Sequence, residues 1–217
     1  RNPFITARAV SSLDHFTGGR VILGMGAGYM KAEYKALGVD FDTRNDLMDE
    51  YIKAMKLAWT GEDFTFEGTG YTALGNRVRP TPAQTPHPPL LVGGNSKRAL
   101  RRTVELGDAW HPFFVPKTVT DTARTAAMED DDDVKGAIAY MQEHCAKVGR
   151  EVPPKVIASS TYSIKKGWSA QEALDHFAHL KSIGIDASGA TVYADSRSEY
   201  CDLAREFGEK VISKIDF

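Results

Sequence analysis

The chain has 217 residues, 42% apolar and 26% charged, with a formal net charge of −2. That is the composition of an ordinary globular domain, and the charge balance gives no general attraction to nucleic acid or an anionic membrane surface. No apolar run approaches the roughly 20 residues that cross a bilayer, no secretory apolar segment opens the chain, and Cys145 and Cys201 lack a CxxC partner, which fits free thiols in a reducing cytoplasm.

Asn2-Pro3 predicts a helix start, a capping side chain followed by proline at the first helical position. Phe4, Ala7 and Val10 continue one face to about His15, and Gly18-Gly19 ends the helix. Val21-Ile22-Leu23 reads as a short strand, followed by the glycine-rich Gly24-Met25-Gly26-Ala27-Gly28-Tyr29. Helical spacing of Leu47, Tyr51, Ala54, Met55 and Ala58 predicts a helix from about Arg44 to Trp59. Phe64-Thr65-Phe66 and Tyr71-Thr72-Ala73, on either side of a glycine-containing turn, predict an inserted β-hairpin. The proline-rich segment from Arg79 to Pro89 is an extended lead-in.

Leu90-Leu91-Val92 follows as an apolar run without alternation, the pattern of a parallel strand covered on both faces. Gly93-Gly94 permits a sharp turn, and Ser96 caps a helix that Gly107 stops. Ala109 to Phe113 predicts the next strand. The acidic run from Glu129 to Asp133 reads as a solvated helix start. Val156 to Ile164 is another strand, Ser169 caps a helix ending near Gly184, Thr191-Val192-Tyr193 lies in a last strand, and Ser196 caps a terminal helix. Regular strand–helix alternation implies a parallel sheet, doubly wound or closed into a barrel. A chain that opens on Arg1 and on a helix is expected to begin inside a βα unit. Five strands preceded by about three more βα units would complete a (β/α)8 barrel of roughly 250 residues.

The turn Gly93-Gly94-Asn95-Ser96 is the first candidate site. Its backbone N–H groups, the helix dipole and the cations Lys97, Arg98, Arg101 and Arg102 together suit an anion, most simply a phosphate; the alternative is an exposed basic face beside a routine turn. Gly24-x-Gly26-x-Gly28 departs from the dinucleotide fingerprint, because the third glycine comes one residue early and no acidic residue closes a second strand. Such glycines still let a flat ring lie against the backbone; otherwise they form a flexible loop. His111 ends a strand, where barrel enzymes place their chemistry, and is a candidate for proton transfer or for a structural hydrogen bond. His176 and His179 lack further ligands at metal spacing. Asp14-His15 near Arg20 reads as a polar brace, and Asp49-Glu50 as a solvated helix face.

Several segments together resemble the bacterial luciferase-like monooxygenase and F420-dependent oxidoreductase family: Ala9 to Arg20, Val21 to Tyr29, Glu33 to Gly38, Arg44 to Glu50, Pro88 to Ser96 and Leu106 to Trp110. The pattern is most similar to the branch using the deazaflavin hydride carrier F420. The resemblance implies an α/β chain of the (β/α)8 TIM-barrel type, with residues 1–217 forming one domain that covers roughly strands 4 to 8. It implies that Gly24, Gly26, Ala27, Gly28 and Tyr29 lie against the ring and ribityl region and that Gly93, Gly94, Asn95 and Ser96 bind the phosphate. Ala27 stands where the luciferases proper carry a phosphate-binding arginine, which weakens an FMN assignment. The expected function is hydride transfer between F420 and a small organic substrate, with His111 as the candidate catalytic residue. The alternatives are an FMN-dependent monooxygenase and a non-catalytic flavin-binding barrel. A homodimer, no nucleic-acid partner and no metal are expected.

Overall fold

The computed structural model describes residues 1–215. In chain order it contains α1 (Pro3–Phe16), β1 (Leu23–Met25), α2 (Lys31–Ala36), α3 (Arg44–Trp59), the hairpin β2 (Phe64–Gly68) and β3 (Tyr71–Asn76), and β4 (Leu90–Gly93). There follow α4 (Lys97–Leu106), β5 (Ala109–His111), α5 (Thr120–Ala123), α6 (Asp131–Val148), β6 (Lys155–Ile164), α7 (Ala170–Ser182), β7 (Ala187–Val192) and α8 (Arg197–Lys210). Five strands form one sheet in the order β1-β4-β5-β6-β7, all neighbours parallel, and β2 and β3 pair separately. This parallel sheet is a half-barrel. Among the described residues no helix is long and apolar enough to cross a membrane.

The caps act as their residues dictate. Asn2 Oδ1 accepts from the Phe4 N–H at 2.9 Å. Ser96, Ser169 and Ser196 each accept from the N–H three residues on. Asp130 caps α6 by accepting from the Asp133 N–H, so the acidic run does begin a helix. The predicted first strand lies two residues later than Val21–Leu23, and the last begins at Ala187 rather than near Thr191. The short α2 carried no sequence signal beyond one turn of mixed residues.

One expectation is corrected. β4 is not covered equally on both faces: Leu90 and Val92 are fully buried, whereas Leu91 and Gly93 are half-buried. Register explains the alternation. Leu91 pairs with Gly24 of β1 and Ala109 of β5, and Gly93 pairs with His111, so these residues share the inner face. Leu90, Val92 and Trp110 point the other way, into two helix-packed cores. One core joins α1, α3, the hairpin and β4 through Ala7, Ile52, Trp59 and Phe64. The other joins α4, α6 and α7 through Val104, Met141 and Phe177. Burying each large side chain contributes about 1.5–3 kcal/mol. Trp59 also donates its indole N–H to the Ala7 carbonyl at 3.0 Å, so its burial leaves no orphan donor.

Asp14 is fully buried at the end of α1. It accepts from the Gln84 N–H and Nε2 at 2.9 and 2.8 Å and from the Val21 N–H at 3.3 Å. The brace therefore ties α1 to the proline-rich lead-in; Arg20 is not its partner and donates to the Thr17 carbonyl instead. Burial works to raise the Asp14 carboxyl, but the hydrogen bonds from Gln84 and Val21 outweigh it and hold the group below its ordinary value. A depressed folded pKa means that the stabilisation is complete above the ordinary carboxylate value of about 3.9 and is lost as pH falls through the lower folded value. Asp14→Asn is expected to cost about 1–3 kcal/mol at neutral pH and to flatten the acid limb of the urea midpoint below about pH 4. A variant with the wild-type acid limb would show that another carboxylate controls it.

Candidate functional site

The C-terminal ends of β1, β4 and β5 converge on a cleft of about 270 Å³, lined by Gly26, Ala27, Gly28, Tyr29, Gly93, Gly94, Ser96, His111 and Phe113 from these strand ends and by Arg44, Arg124 and Thr125 from beyond them. Parallel strands leave their last residues at one rim, which is where loops can present functional groups. The structure therefore brings together nearly every predicted site residue. Gly24 sits one pair of residues deeper on the same exposed face of β1 as Gly26. A Cβ at Gly24 or Gly26 would meet nothing within 4 Å, so this wall is open and flat. Gly28, at φ +74, turns the chain away, and the Tyr34 hydroxyl donates to the Ala27 carbonyl to hold the loop. A larger space of about 480 Å³ adjoins this loop on the side of α1 and α3, where Met48, Tyr51 and Ile52 line it.

The β4 turn is held from behind. Gly94 lies at φ +113, a region that L side chains rarely adopt, and its carbonyl accepts from the Trp110 indole at 2.9 Å. Its N–H donates to the His111 carbonyl at 3.4 Å, and the Asn95 N–H donates to Thr125 Oγ1 at 2.9 Å. The N–H groups of Ser96, Lys97 and Arg98 have no hydrogen-bond partner among the described residues, as the first turn of a helix requires. These three amides are the donors an anion would meet.

Two expectations about this turn change. The Asn95 side chain is buried and does not face the cleft. It donates to the carbonyls of Phe113 and Ala126 at 2.7 and 2.8 Å and accepts from the Phe113 N–H at 2.9 Å. Asn95 shapes the turn and pins the following loop. The cations of α4 are also engaged elsewhere. Arg98 pairs with Asp46 and Asp49, Arg102 with Asp49, and Arg101 donates to the Tyr140 hydroxyl. Residues 98 and 102 are one turn apart and meet α3, while 101 faces α6, so helix geometry divides them between neighbours. Asp49 is accordingly not a solvated residue. Burial would raise its carboxyl, but hydrogen bonds from Arg102 and Arg98 hold it below its ordinary value. Glu50 caps the hairpin turn by accepting from Thr69.

His111 lines the cleft with both ring nitrogens bonded. Nδ1 lies 2.7 Å from the Ile157 carbonyl, which can only accept, so Nδ1 carries a proton. Nε2 lies 3.0 Å from Ser159 Oγ, which donates to it when the ring is neutral. His176 and His179 diverge. His176 bonds to Thr161 Oγ1 at 2.8 Å, and burial, aided by His179, pushes its pKa down; His179 pairs with Asp131 at 3.0 Å.

Sequence reasoning missed Arg44, Arg124 and Thr125 on the cleft and Ser159 beside His111. One signal was present. Arg44 is a cation at the first position of a helix, where it opposes the dipole and so calls for a reason. Arg124 and Thr125 lie in the loosely patterned stretch after β5, which no periodicity organises.

Residues 1–206 match the family model described as luciferase-like monooxygenase. The chain belongs to this family. It is 31% identical over 163 residues to an FMNH2-dependent dimethylsulfone monooxygenase of Pseudomonas putida, covering 74% of this chain and 42% of that protein. A protein of the same name from Pseudomonas fluorescens is 26% identical over 172 residues, covering 78% and 44%. The chain spans about half the length, or less, of the curated relatives it matches. Among solved structures it is similar to a monooxygenase from Streptomyces bottropensis (TM-score 0.78, 16% identity, 98% of this chain and 74% of that one). It is also similar to an F420-dependent secondary alcohol dehydrogenase in complex with an F420-acetone adduct (0.71, 16%, 99% and 76%). A third is the coenzyme F420-dependent tetrahydromethanopterin reductase of Methanopyrus kandleri (0.72, 15%, 100% and 80%). At these identities the structures establish the fold; the relatives and structural neighbours include both F420-dependent and FMNH2-dependent proteins.

Removal of the buried Asn95 amide leaves the Phe113 N–H and the carbonyls of Phe113 and Ala126 without partners. Asn95→Ala is expected to destabilise the protein by about 2 kcal/mol or more and to speed hydrogen exchange selectively between residues 113 and 126. Uniform exchange across the chain would argue against a local lock.

Proposed function

We propose that this chain supplies the phosphate and ring-face portion of an F420 site in a luciferase-like oxidoreductase, and that it covers roughly strands 4 to 8 of a single barrel domain. The observation that carries the reading is a pair of adjoining hollows that share Gly26, Ala27 and Gly28 and offer two complementary surfaces. The Gly24–Gly26 wall has no Cβ and nothing packed against it, and the opening of α4 offers three unpartnered amides beside Gly93 and Gly94. A flat ring suits the first and a phosphate the second.

A bound reduced deazaflavin would supply a hydride, two electrons with one hydrogen nucleus, to a small organic acceptor. The chain's own part is placement. Ala27, held through Tyr34, sets the height of the ring wall. The amides of Ser96, Lys97 and Arg98 fix the phosphate and so the reach of the ring. His111, held at Nδ1 by the Ile157 carbonyl and at Nε2 by the Ser159 hydroxyl, presents a fixed imidazole at the rim. That geometry suits a positioned rim group held by a hydrogen bond from Ser159.

FMN is the second reading, and the 31% identity to an FMNH2-dependent monooxygenase favours it. Fluorescence titration of the full gene product tests both. F420 is expected to bind about tenfold or more tightly than FMN, a difference of roughly 1.4 kcal/mol. The reverse order selects FMN, and binding of neither overturns the proposal. Binding without turnover across a substrate panel would point to a non-catalytic barrel. Gly94→Val in the same assay is expected to lose phosphate-dependent affinity and also to lower the melting temperature, because φ +113 strains any L side chain. Full affinity in that variant would refute the phosphate-turn assignment.

A further inference from the structure

Strand β6 does not keep the alternation of a regular strand. From Ile157 to Ser160 it takes three steps while β7 takes two, from Ala187 to Gly189, and Tyr162 then pairs with Ala190. β6 therefore carries two bulges, and a bulge re-aims the side chains around it. Residues two apart on a regular strand share a face. Here Ser159 meets the His111 ring on the inner face, whereas Thr161 bonds to His176 of α7 in the helical layer. Both partners of the His111 ring, the Ile157 carbonyl and the Ser159 hydroxyl, come from the first bulge.

The bulges are held by a chain of hydroxyls whose direction is fixed. The Ser159 carbonyl can only accept, so Ser188 Oγ donates to it at 2.8 Å. A hydroxyl has one proton, so Ser188 accepts from Thr161 Oγ1 at 2.9 Å. The Thr161 proton is then spent, and His176 Nε2 donates to Thr161 at 2.8 Å. His176 thus carries a proton on Nε2, and a second proton on its ring would leave the chain as it is. Tyr162 and Phe177 pack on the His176 ring and hold it in place. The same reasoning orients Ser159. The Nδ1 proton of His111 is on the Ile157 carbonyl, so with a neutral ring the Ser159 proton goes to Nε2. The lone pairs of Ser159 Oγ remain, and this residue is exposed.

We propose that His176, Thr161 and Ser188 are positioning residues that pin the bulged β6, and that Ser159 is the specificity-determining residue they place, an acceptor beside His111 that takes a hydroxyl or N–H of the substrate. This inference rests on the reading of the cleft as a cofactor site. Ser159 stands on β6, two strands along the sheet from the β4 turn, so it is separate from the amides that open α4. An oriented acceptor discriminates, because a ligand that brings a donor satisfies it and one that brings only an oxygen acceptor leaves it unpaired. The brace matters for the same reason. Without Ser188 on its carbonyl, the Ser159 backbone could relax toward regular pairing and carry its hydroxyl away from the His111 ring.

The test uses the full gene product. Nitrogen-15 NMR of its histidines at about pH 9, above the ordinary histidine range, is expected to show His111 protonated at Nδ1 and His176 at Nε2. Thr161→Val removes the hydroxyl at nearly the same shape. It is expected to lower the ratio of Nδ1–H to Nε2–H forms at His111 by roughly three- to tenfold, the size of one hydrogen bond, and to leave His15 and His87 unchanged. Thr161→Ser should restore the ratio. His111 protonated at Nε2 in wild type, or unmoved by Thr161→Val, overturns the positioning chain. The acceptor is tested on protein loaded with F420 or FMN, whichever binds, by ligand-observed NMR with cyclohexanol and its methyl ether. The alcohol is expected to bind about fivefold more tightly, and Ser159→Ala to abolish that difference without weakening the ether. Equal affinities in wild type, no binding of the alcohol, or equal loss of both ligands in Ser159→Ala overturns the acceptor assignment. A protein that binds neither F420 nor FMN defeats the cofactor reading and the role of Ser159 with it, while the histidine spectra still decide the chain.

Discussion

The Asn95 side chain is the contact on which the rim of this half-barrel depends. A buried amide that is fully hydrogen-bonded fixes geometry more sharply than apolar packing, because each missed partner would carry a desolvation cost. Asn95 has its amide and carbonyl directed at the loop after β5, and its own N–H is taken by that loop. The β4 turn and residues 113–126 therefore form one unit. The turn's position relative to Gly26 is then set by β1–β4 pairing, which places Met25 beside Val92. Every distance across the cleft follows from these two connections.

Charge is used inside the helical layer as a fastener. Asp49 on α3 receives Arg98 and Arg102 from α4, and Arg102 also donates to the Asn45 carbonyl at 2.9 Å. Arg102 is 4% exposed, so an unpaired guanidinium there would be costly, and the pair is best read as register-setting between two helices. Arg102 also lines the cleft, so the pair ties the helical layer to the rim.

Much of the architecture was legible because its signals are local. Asn2, Ser96, Ser169 and Ser196 are caps whose side chains can do little else at those positions, and Gly107 and Gly184 lie at the ends they were expected to mark. The parallel order followed from strand–helix alternation. The site was half legible. Glycines announce an open backbone, so the walls at Gly24–Gly28 and Gly93–Gly94 could be read. The identity of side chains that reach the cleft could not, because partner choice is a tertiary matter. Four cations on α4 look alike in sequence, and only the placement of α3 and α6 shows that Arg98 and Arg102 pair with carboxylates while Lys97 and Arg101 meet Tyr140. Asn95 looked like a ligand group for the same reason, since nothing local separates an amide facing a cleft from one facing a loop. Arg124 was invisible because the stretch after β5 folds into short turns with no buried residues to set a period.

The three tryptophans are distributed in a way that bears on spectroscopy. Trp59 lies in one core, Trp168 packs edge-on against Phe207 in the other, and Trp110 stands directly behind the β4 turn with its indole N–H on the Gly94 carbonyl. Indole emission responds to the polarity and hydrogen bonding of that N–H. A buried fluorophore with no solvent contact of its own thus shares a bond with the one carbonyl that any rearrangement of the turn must move. The protein carries an intrinsic optical probe at its most sensitive position, with two further tryptophans as internal references for the layers on either side.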